Sequence, residues 1–436
     1  MNKKRTFIPL LTAMLATAPM GAKADTFDLL FQNRTLRVDY VFSGDARHQQ
    51  ISLDELRMSD GWWGRRVNLD KLLLKGNGQI VMTDTLGCDT LYTTSFSTLF
   101  QEWQTTEEAA SGIRKSFENV FLLPMPRETV DVTVTLSDIH GKTSSRFTHR
   151  VNPLDILIRP VTPPQGTTWE YVKQGGDSRQ CIDLAFVSEG YTEQEKDLFL
   201  EDCRKGVEAF LSHEPFRSMA SKLNFVAVFS PSAESGVSIP HNQQWKQTVL
   251  GSSFDTFYSQ RYLTTLHLKK LHDVLGGAPY EHIVILANTD NYGGGGIYNS
   301  YLMSAAHNEK ARPVLVHEFG HSFGGLADEY FYDDQYEEFY FAGIEPWEKN
   351  ITTLTDFNSK WADMLPAGTA IPTPTEGTAP TDMEHIGVYE GGGYMSKGVY
   401  RAFRDCRMKT NEVEAFCKVC ERALQEVIDF HVVPLH

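Results

Sequence analysis

The sequence predicts a multi-domain α+β protein, in which a β-sandwich-like N-terminal domain precedes an α/β domain with a mixed sheet. Three observations support this prediction. Residues 25–158 alternate apolar and polar side chains as half-buried strands do, residues 159–168 are rich in proline, and residues 169–436 alternate strand-like and helix-like segments. The 412 residues that follow residue 24 are enough for two domains.

The N-terminal domain is predicted from its period-two segments. RTLRVDYVFSG (residues 34–44) and TVDVTVTLSD (residues 129–138) place apolar side chains on one face and polar side chains on the other. TLFQEWQTTEEAASGIRKSF (residues 98–117) is less regular, and we expect a loop with a helical turn there. No catalytic cluster of residues is evident in this half, so we expect the chemistry in the second domain.

A proline-rich segment marks the change of pattern. RPVTPPQGTTW (residues 159–169) holds three prolines and a glycine, which suits a stiff, extended connection between domains. We therefore predict an N-terminal domain at residues 25–158, a linker at residues 159–168 and a second domain at residues 169–436.

The second domain is predicted from buried strands that alternate with helices. HIVILANTD (residues 282–290) is apolar and strongly β-prone, and Thr192 with Glu195 forms a capping box at the start of a helix. Residues 254–275 and 413–432 are also predicted to be helices. The glycines at residues 293–296 lack the GK[ST] of a phosphate loop, and we expect a flexible rim there.

Residues 1–24 are predicted to be a signal peptide. Three basic residues near the start precede an apolar stretch at residues 7–21, and Ala-Lys-Ala at residues 22–24 is a small-x-small cleavage site. No later segment has the uninterrupted apolar length of a membrane helix. We expect an exported protein, periplasmic or extracellular, without integral membrane association.

The charge of the chain excludes two classes of partner. With 41 basic and 56 acidic residues the net charge is −15. Removing the predicted signal peptide takes away four basic residues and no acidic ones, which leaves 37 against 56, or −19. Nucleic acids and anionic membranes require basic surfaces, so neither is expected to bind.

The chain contains six cysteines, and in an oxidising compartment disulfides are the default expectation. They are Cys88, Cys181, Cys203, Cys406, Cys417 and Cys420. The last three are close in sequence, so a bridge from Cys406 to Cys417 or Cys420 is predicted. A second metal site is the alternative, although three thiols have no obvious fourth ligand nearby.

The motif HEFGH predicts a zinc site. His317 and His321 are four residues apart, so on a helix both imidazoles lie on one face and can bind one metal ion. Glu318 lies about a third of a turn away, beside the metal without binding it. There it can take a proton from a zinc-bound water as general base. We therefore predict a single zinc ion as cofactor, with Glu318 as the catalytic residue.

The third ligand is expected just after the helix. Gly324 and Gly325 interrupt it, and glycine allows the chain to reverse sharply toward the metal. The extended zincin pattern, H-E-x-x-H-x-x-G-x-x-H or Asp, meets Ala327 at its last position, so one inserted glycine would bring Asp328 into that role. Asp328 is therefore the predicted third ligand, with Glu329 as the alternative.

The stretch HEFGHSFGGLADEY resembles the signature of the bacterial IgA-peptidase family of zinc metallopeptidases, a metzincin-like group. The similarity extends over most of the second half, including IDLAFVSEGYT, FVAVFSPSAESG and YMSKGVYRAFRDCRM, and a small β domain ahead of the catalytic one fits the same family. The resemblance implies a zincin-like catalytic domain and a methionine turn beneath the zinc. Met408 is preferred over Met395, because Cys406 beside it could be fixed to the last helix by a disulfide.

A tyrosine near the metal could stabilise the oxyanion, because a phenol donates a hydrogen bond to developing charge. Tyr394 and Tyr400 are the candidates.

These patterns together predict a secreted zinc-dependent endopeptidase that acts on protein or peptide substrates. We expect the substrate to pair as an added strand along residues 297–304. The alternative is a secreted protein- or glycan-binding protein with a degenerate peptidase domain, and a zinc amidase or deacetylase ranks third. HEFGH retains both histidines and the glutamate, which favours the peptidase.

Overall fold

The structure, a computed structural model, describes residues 26–333 and 339–434. The predicted signal peptide lies outside the described residues. The remainder is an α+β protein with several mixed and antiparallel sheets, arranged as an N-terminal domain followed by a larger second domain. In the part of the chain that the structure describes, no helix has the length and apolar character needed to cross a membrane.

The N-terminal domain contains two four-stranded sheets and three short helices. The first sheet, in the order β5–β1–β2–β8, consists of β1 (Phe31–Gly44), β2 (Gln49–Asp60), β5 (Lys115–Pro126) and β8 (Arg159–Pro160). The second sheet, in the order β4–β3–β6–β7, consists of β3 (Gly78–Asp84), β4 (Thr90–Phe96), β6 (Val130–Ser137) and β7 (Thr143–Val151). The helices are α1 (Thr26–Leu30), α2 (Leu99–Trp103) and α3 (Glu107–Ala110).

The two sheets share one aromatic core. In β6 every second residue is buried, as the alternation of VDVTVTLS predicts. Phe96 from the second sheet lies between Phe42 and Phe121 from the first, with ring centroids 6.2 Å and 4.3 Å away. The predicted helical turn between residues 98 and 117 is confirmed, since α2 and α3 both lie there.

The second domain is built on a six-stranded mixed sheet in the order β13–β14–β12–β10–β11–β9. Its strands are β9 (Thr168–Lys173), β10 (Ile182–Glu189), β11 (Leu223–Phe229), β12 (His282–Ala287), β13 (Gly294–Ile297) and β14 (Tyr301–Ala305). The four inner strands are parallel and completely buried, while β9 and β13 run antiparallel at the two edges. This agrees with the mixed sheet predicted from sequence.

Helices and a small sheet complete the second domain. The helices are α4 (Lys196–Leu211), α5 (Leu268–Val274), α6 (Ala311–Ser322) and α7 (Lys418–Val432). The small sheet consists of β15 (Phe331–Tyr332), β16 (Ile351–Thr352), β17 (Tyr389–Gly392) and β18 (Tyr394–Arg401). The predicted capping box of Thr192 and Glu195 is present ahead of α4.

The helix predicted at residues 254–275 is wrong over most of its length, because only α5 is α-helical there. Asp255, Phe257 and Tyr258 have positive φ. Residues 261–263 lie along β13, where the N–H of Gly294 donates to the carbonyl of Arg261 at 3.2 Å. Pairing with a sheet edge has overridden the helical pattern of this segment.

The two domains are joined through a partly buried ion-pair network. Arg37 of β1 binds Asp39 at 2.7 Å and reaches Asp273 of α5 at 2.6 Å. Arg57 of β2 contacts the same Asp273 carboxylate. The segment predicted as a linker begins as a strand, since β8 pairs with β2. Its start is therefore fixed to the N-terminal domain.

Candidate metal centre

Helix α6 carries the two histidines of HEFGH on one face. His317 Nε2 and His321 Nε2 are 3.1 Å apart, and the rings meet nearly edge to face. Gly320, on the same turn of the helix, is packed so closely on Met408 that a Cβ there would overlap the sulfur. Glycine therefore allows Met408 to lie directly beneath the histidine-bearing turn.

A left-handed turn after α6 returns the chain to the histidines. Gly325 has φ +56°, a conformation that glycine adopts without the strain of a side chain. Three residues later, Asp328 Oδ1 lies 3.1 Å from His317 Nε2 and 3.2 Å from His321 Nε2. These three donor atoms form a nearly equilateral triangle.

The hydrogen bonds of both imidazoles leave their Nε2 atoms free to act as ligands. The Nδ1–H of His317 donates to the carbonyl of Arg407 at 2.9 Å, and that of His321 donates to the carbonyl of Leu326 at 2.6 Å. Metal-binding histidines are usually oriented in this way by a backbone acceptor. In this tautomer the lone pairs of both Nε2 atoms point toward Asp328.

The geometry of the three donor atoms fits a zinc ion. Asp328 Oδ1 is buried and has no hydrogen-bond partner within residues 26–333 and 339–434. Three lone pairs that face one another need a proton or a metal cation between them. A tetrahedral zinc ion with ligands at about 2.0–2.1 Å places those ligands about 3.3 Å apart, close to the edges observed here. His317, His321 and Asp328 could therefore hold a metal ion with the bond lengths of zinc.

The charges in the triad are strongly coupled. Burial alone would lower the pKa of His321, but the Asp328 carboxylate outweighs it and raises that pKa to about 9. Burial would raise the pKa of Asp328, but the two histidines hold it well below its usual range. A metal ion that takes this position must displace a proton, so its binding releases protons.

Glu318 lies beside the triad on the same helix. Burial raises the pKa of its carboxyl, while the two histidines act in the opposite direction. A carboxylate with a raised pKa is a stronger base, which suits proton transfer near neutral pH.

Strand β13 lies against α6 at the position of Glu318. A Cβ at Gly296 would overlap the carbonyl oxygen of Glu318 and would lie 3.1 Å from His321 Cβ. Glycine is required for this approach. The prediction of a flexible rim at residues 293–296 is wrong, because residues 294–297 form β13.

Tyr394, a predicted oxyanion donor, is hydrogen-bonded to the third member of the triad. Its hydroxyl donates to Asp328 Oδ2, which leaves Oδ1 directed at the histidines. The backbone N–H of Gly393 also donates to the Asp328 carbonyl, at 2.8 Å. Tyr394 therefore orients Asp328 in this structure.

The other residues predicted around the metal, Tyr400, Met395 and Met408, do not lie together. The charges near Tyr400 come from Glu390 and Lys397 on the small sheet, not from the triad. Met395 packs against the small cluster of Ala327, Ile351 and Val399, whereas Met408 lies against Gly320 of the histidine-bearing helix.

Glu329, the alternative third ligand, points away from the histidines. Its Oε1 accepts hydrogen bonds from Asn350 at 3.0 Å and from the thiol of Cys420 at 3.2 Å. The alternation of side chains along this extended segment sends Asp328 and Glu329 to opposite sides.

Two residues that the sequence analysis did not single out border the site. Glu102 of α2 accepts a hydrogen bond from the Tyr262 hydroxyl at 2.6 Å. Glu102 as a whole is exposed to solvent. Its carboxyl group, however, is surrounded by protein and loses part of its hydration. Together with the charges on Glu318 and Asp328, this raises the pKa of Glu102 to about 7. Glu102 comes from the N-terminal domain, and no local sequence pattern connects it with residues some 200 positions later.

Two family models match the chain. The model described as IgA Peptidase M64 matches residues 171–385 and 378–428, which include the whole metal centre. The model described as Peptidase M64 N-terminus matches residues 26–148, which cover most of the N-terminal domain. A comparison with curated proteins found no match.

Proposed function

The chain belongs to the IgA Peptidase M64 family, and from that premise we propose that it is a secreted zinc-dependent endopeptidase that hydrolyses peptide bonds in protein substrates. The family makes it a peptidase. Our proposal adds the metal, the export and the roles of individual residues. The observation that carries it is the convergence of His317 Nε2, His321 Nε2 and Asp328 Oδ1 beside Glu318.

The three converging side chains would hold the metal, and Glu318 would transfer the protons. A bound zinc ion supplies a Lewis acid that polarises a carbonyl and lowers the pKa of water. Glu318 accepts a proton from the attacking water and later delivers it to the departing amine. Its burial, which raises its pKa, supports both transfers.

Strand β13 is the proposed docking edge for the substrate. The expected edge at residues 297–304 needs correction, since β14 is paired with β12 on one side and with β13 on the other. Gly294 already exchanges hydrogen bonds with residues 261 and 263. Because edge-facing groups alternate along an antiparallel strand, Gly296 presents its N–H and C=O to the cleft beside Glu318. A substrate strand added there would place its scissile bond next to the proposed base.

We also propose the fold details that the sequence suggested. The shared aromatic core of the two N-terminal sheets supports a β-sandwich. An antiparallel edge strand beside a helix that bears HEFGH supports a zincin-like second domain.

A chelator experiment with matched variants tests the proposal. The purified chain is incubated with an unfolded protein, and mass spectrometry identifies the new termini. We expect internal cleavage that a chelator abolishes and added zinc restores. Glu318→Gln should bind zinc as the wild type does and lose at least about 100-fold in turnover, the lower range of a general-base contribution. Glu309→Gln, an exposed residue just before the same helix, is the control and should cleave normally.

The outcomes separate the peptidase from the binding protein that the sequence left open. Full turnover by Glu318→Gln would refute its role as base. Substrate retention without new termini, in a wild-type protein loaded with zinc, would instead favour a binding protein with a degenerate site.

A further inference from the structure

A second cluster of metal-binding side chains lies behind the candidate metal centre. It consists of Glu329, Cys406, Cys417 and Cys420, whose donor atoms all lie within 4.8 Å of one another. All four side chains are buried, with at most 1% of any residue exposed. The three thiols had seemed to lack a fourth ligand, and Glu329 supplies it from a position far away in sequence.

The distances in this cluster match a zinc site better than a disulfide. Cys406 Sγ and Cys420 Sγ are 3.7 Å apart, and Cys420 Sγ lies 3.2 Å from Glu329 Oε1. Two sulfurs bound at about 2.3 Å to one tetrahedral zinc ion lie about 3.8 Å apart. A disulfide would require about 2.05 Å.

An unpartnered atom also points to a missing cation. Glu329 Oε2 is buried and lacks a hydrogen-bond partner among the described residues. A disulfide between two of the cysteines would leave this oxygen unpaired and the third thiol unused. A cation bound to three thiolates and the carboxylate would use all four groups.

The surrounding charges suit such an anionic site. Three thiolates and one carboxylate around Zn²⁺ leave a net charge of −2. Arg401 and Arg407 are both buried and act electrostatically on the cluster, Arg401 on Glu329 and Arg407 on Cys406. Two buried guanidinium groups therefore balance the residual charge.

We propose that Glu329, Cys406, Cys417 and Cys420 bind a second zinc ion, which has a structural role. Four protein ligands close the coordination sphere, as in structural zinc sites. Cys417 and Cys420 form a C-x-x-C pair at the start of α7, a spacing common in such sites.

The second zinc ion would hold the segments that position Asp328 and His317 in place against the last helix, α7. Glu329 directly follows Asp328, and its N–H donates to the carbonyl of Met408 at 2.8 Å. Cys406 precedes Arg407, whose carbonyl orients His317. A metal ion at the cluster would thus fix two segments that position the catalytic centre, together with α7.

The test counts metal ions on the intact chain. The wild type is purified with zinc, and mass spectrometry of the dissolved metal gives the number of zinc ions per chain. We expect two. Cys417→Ser and Cys420→Ser should each carry one, and so should His321→Ala, which disrupts only the catalytic centre. Glu318→Gln should keep both.

Cobalt distinguishes the two centres without relying on activity. Cobalt-loaded wild type and His321→Ala should both show the intense thiolate-to-cobalt charge-transfer band, because the cluster has sulfur ligands and the catalytic centre has none. Cys420→Ser should weaken or shift this band.

Two results would overturn the proposal, and both can be obtained on the wild type even if a cysteine variant fails to fold. One is a single zinc ion per chain with no thiolate-to-cobalt band. The other is an intact mass two hydrogens lower, with a disulfide mapped among Cys406, Cys417 and Cys420. A wild-type protein that binds two zinc ions but cleaves no protein substrate would count against the proposed function and not against this site.

Discussion

Replacing Asn350 by alanine should weaken both the fold and the candidate metal centre. Asn350 Oδ1 accepts a hydrogen bond from the N–H of Ala327 at 2.8 Å, while Nδ2 donates to the carbonyl of Ala327 at 2.8 Å and to Glu329 at 3.0 Å. The side chain is completely buried. Asn350 therefore clamps the extended segment that presents Asp328 to the histidines.

The magnitude follows from the groups that would lose their partners. In Asn350→Ala the N–H and the C=O of Ala327 are both left buried and unpaired, and each such group costs about 1–3 kcal/mol. The free energy of unfolding should fall by about 2–6 kcal/mol. Displacement of Asp328 should also weaken zinc binding by about 10–100-fold, the usual effect of losing a residue that supports a ligand.

Urea unfolding and competition with a chromophoric zinc chelator measure the two quantities. Asn358→Ala is the control, because Asn358 is an exposed asparagine on the segment that follows β16. It should leave both quantities unchanged. The reasoning would be refuted if Asn350→Ala unfolded within 1 kcal/mol of the wild type and bound zinc at the catalytic centre with the same affinity.

Three further outcomes are expected. Tyr394→Phe removes the hydroxyl that orients Asp328 and leaves Asp328 Oδ2 without that donor, so zinc affinity should fall about tenfold in chelator competition and the free energy of unfolding by about 1–3 kcal/mol; an unchanged affinity would assign that orientation to other contacts. At pH 8.5, above the raised pKa of Glu102 of about 7, Glu102→Gln removes a negative charge beside the cleft, so kcat/KM for lysine-containing peptides relative to neutral ones should fall by up to about fivefold, and an equal fall for both would contradict a charge effect. Burial raises the pKa of Asp183 from its ordinary value of 3.8 to about 6. The wild type therefore loses stability as the pH rises from about 4 through 6, and Asp183→Asn should gain up to about 3 kcal/mol relative to it between pH 4 and pH 7.5 in urea unfolding; a pH-independent difference would refute this.

The sequence alone determined the features that depend on local periodicity. Alternation at period two identified the strands of the N-terminal domain, and the spacing of four residues placed His317 and His321 on one helical face. Gly325 predicted the turn that brings Asp328 back to the two histidines. These inferences need only the geometry of a helix, a strand or a turn, which is why they could be read from neighbouring residues.

Tertiary structure decided everything that depends on residues distant in sequence. The helical pattern of residues 254–275 yielded to pairing with β13, and residues 294–297 became the edge strand β13 because they pair with β14. Glu102 approaches the candidate metal centre from the other domain. Glu329 completes a cluster with three cysteines at least 77 positions away. Such contacts arise only when the chain has packed, since no local pattern records which surfaces will meet.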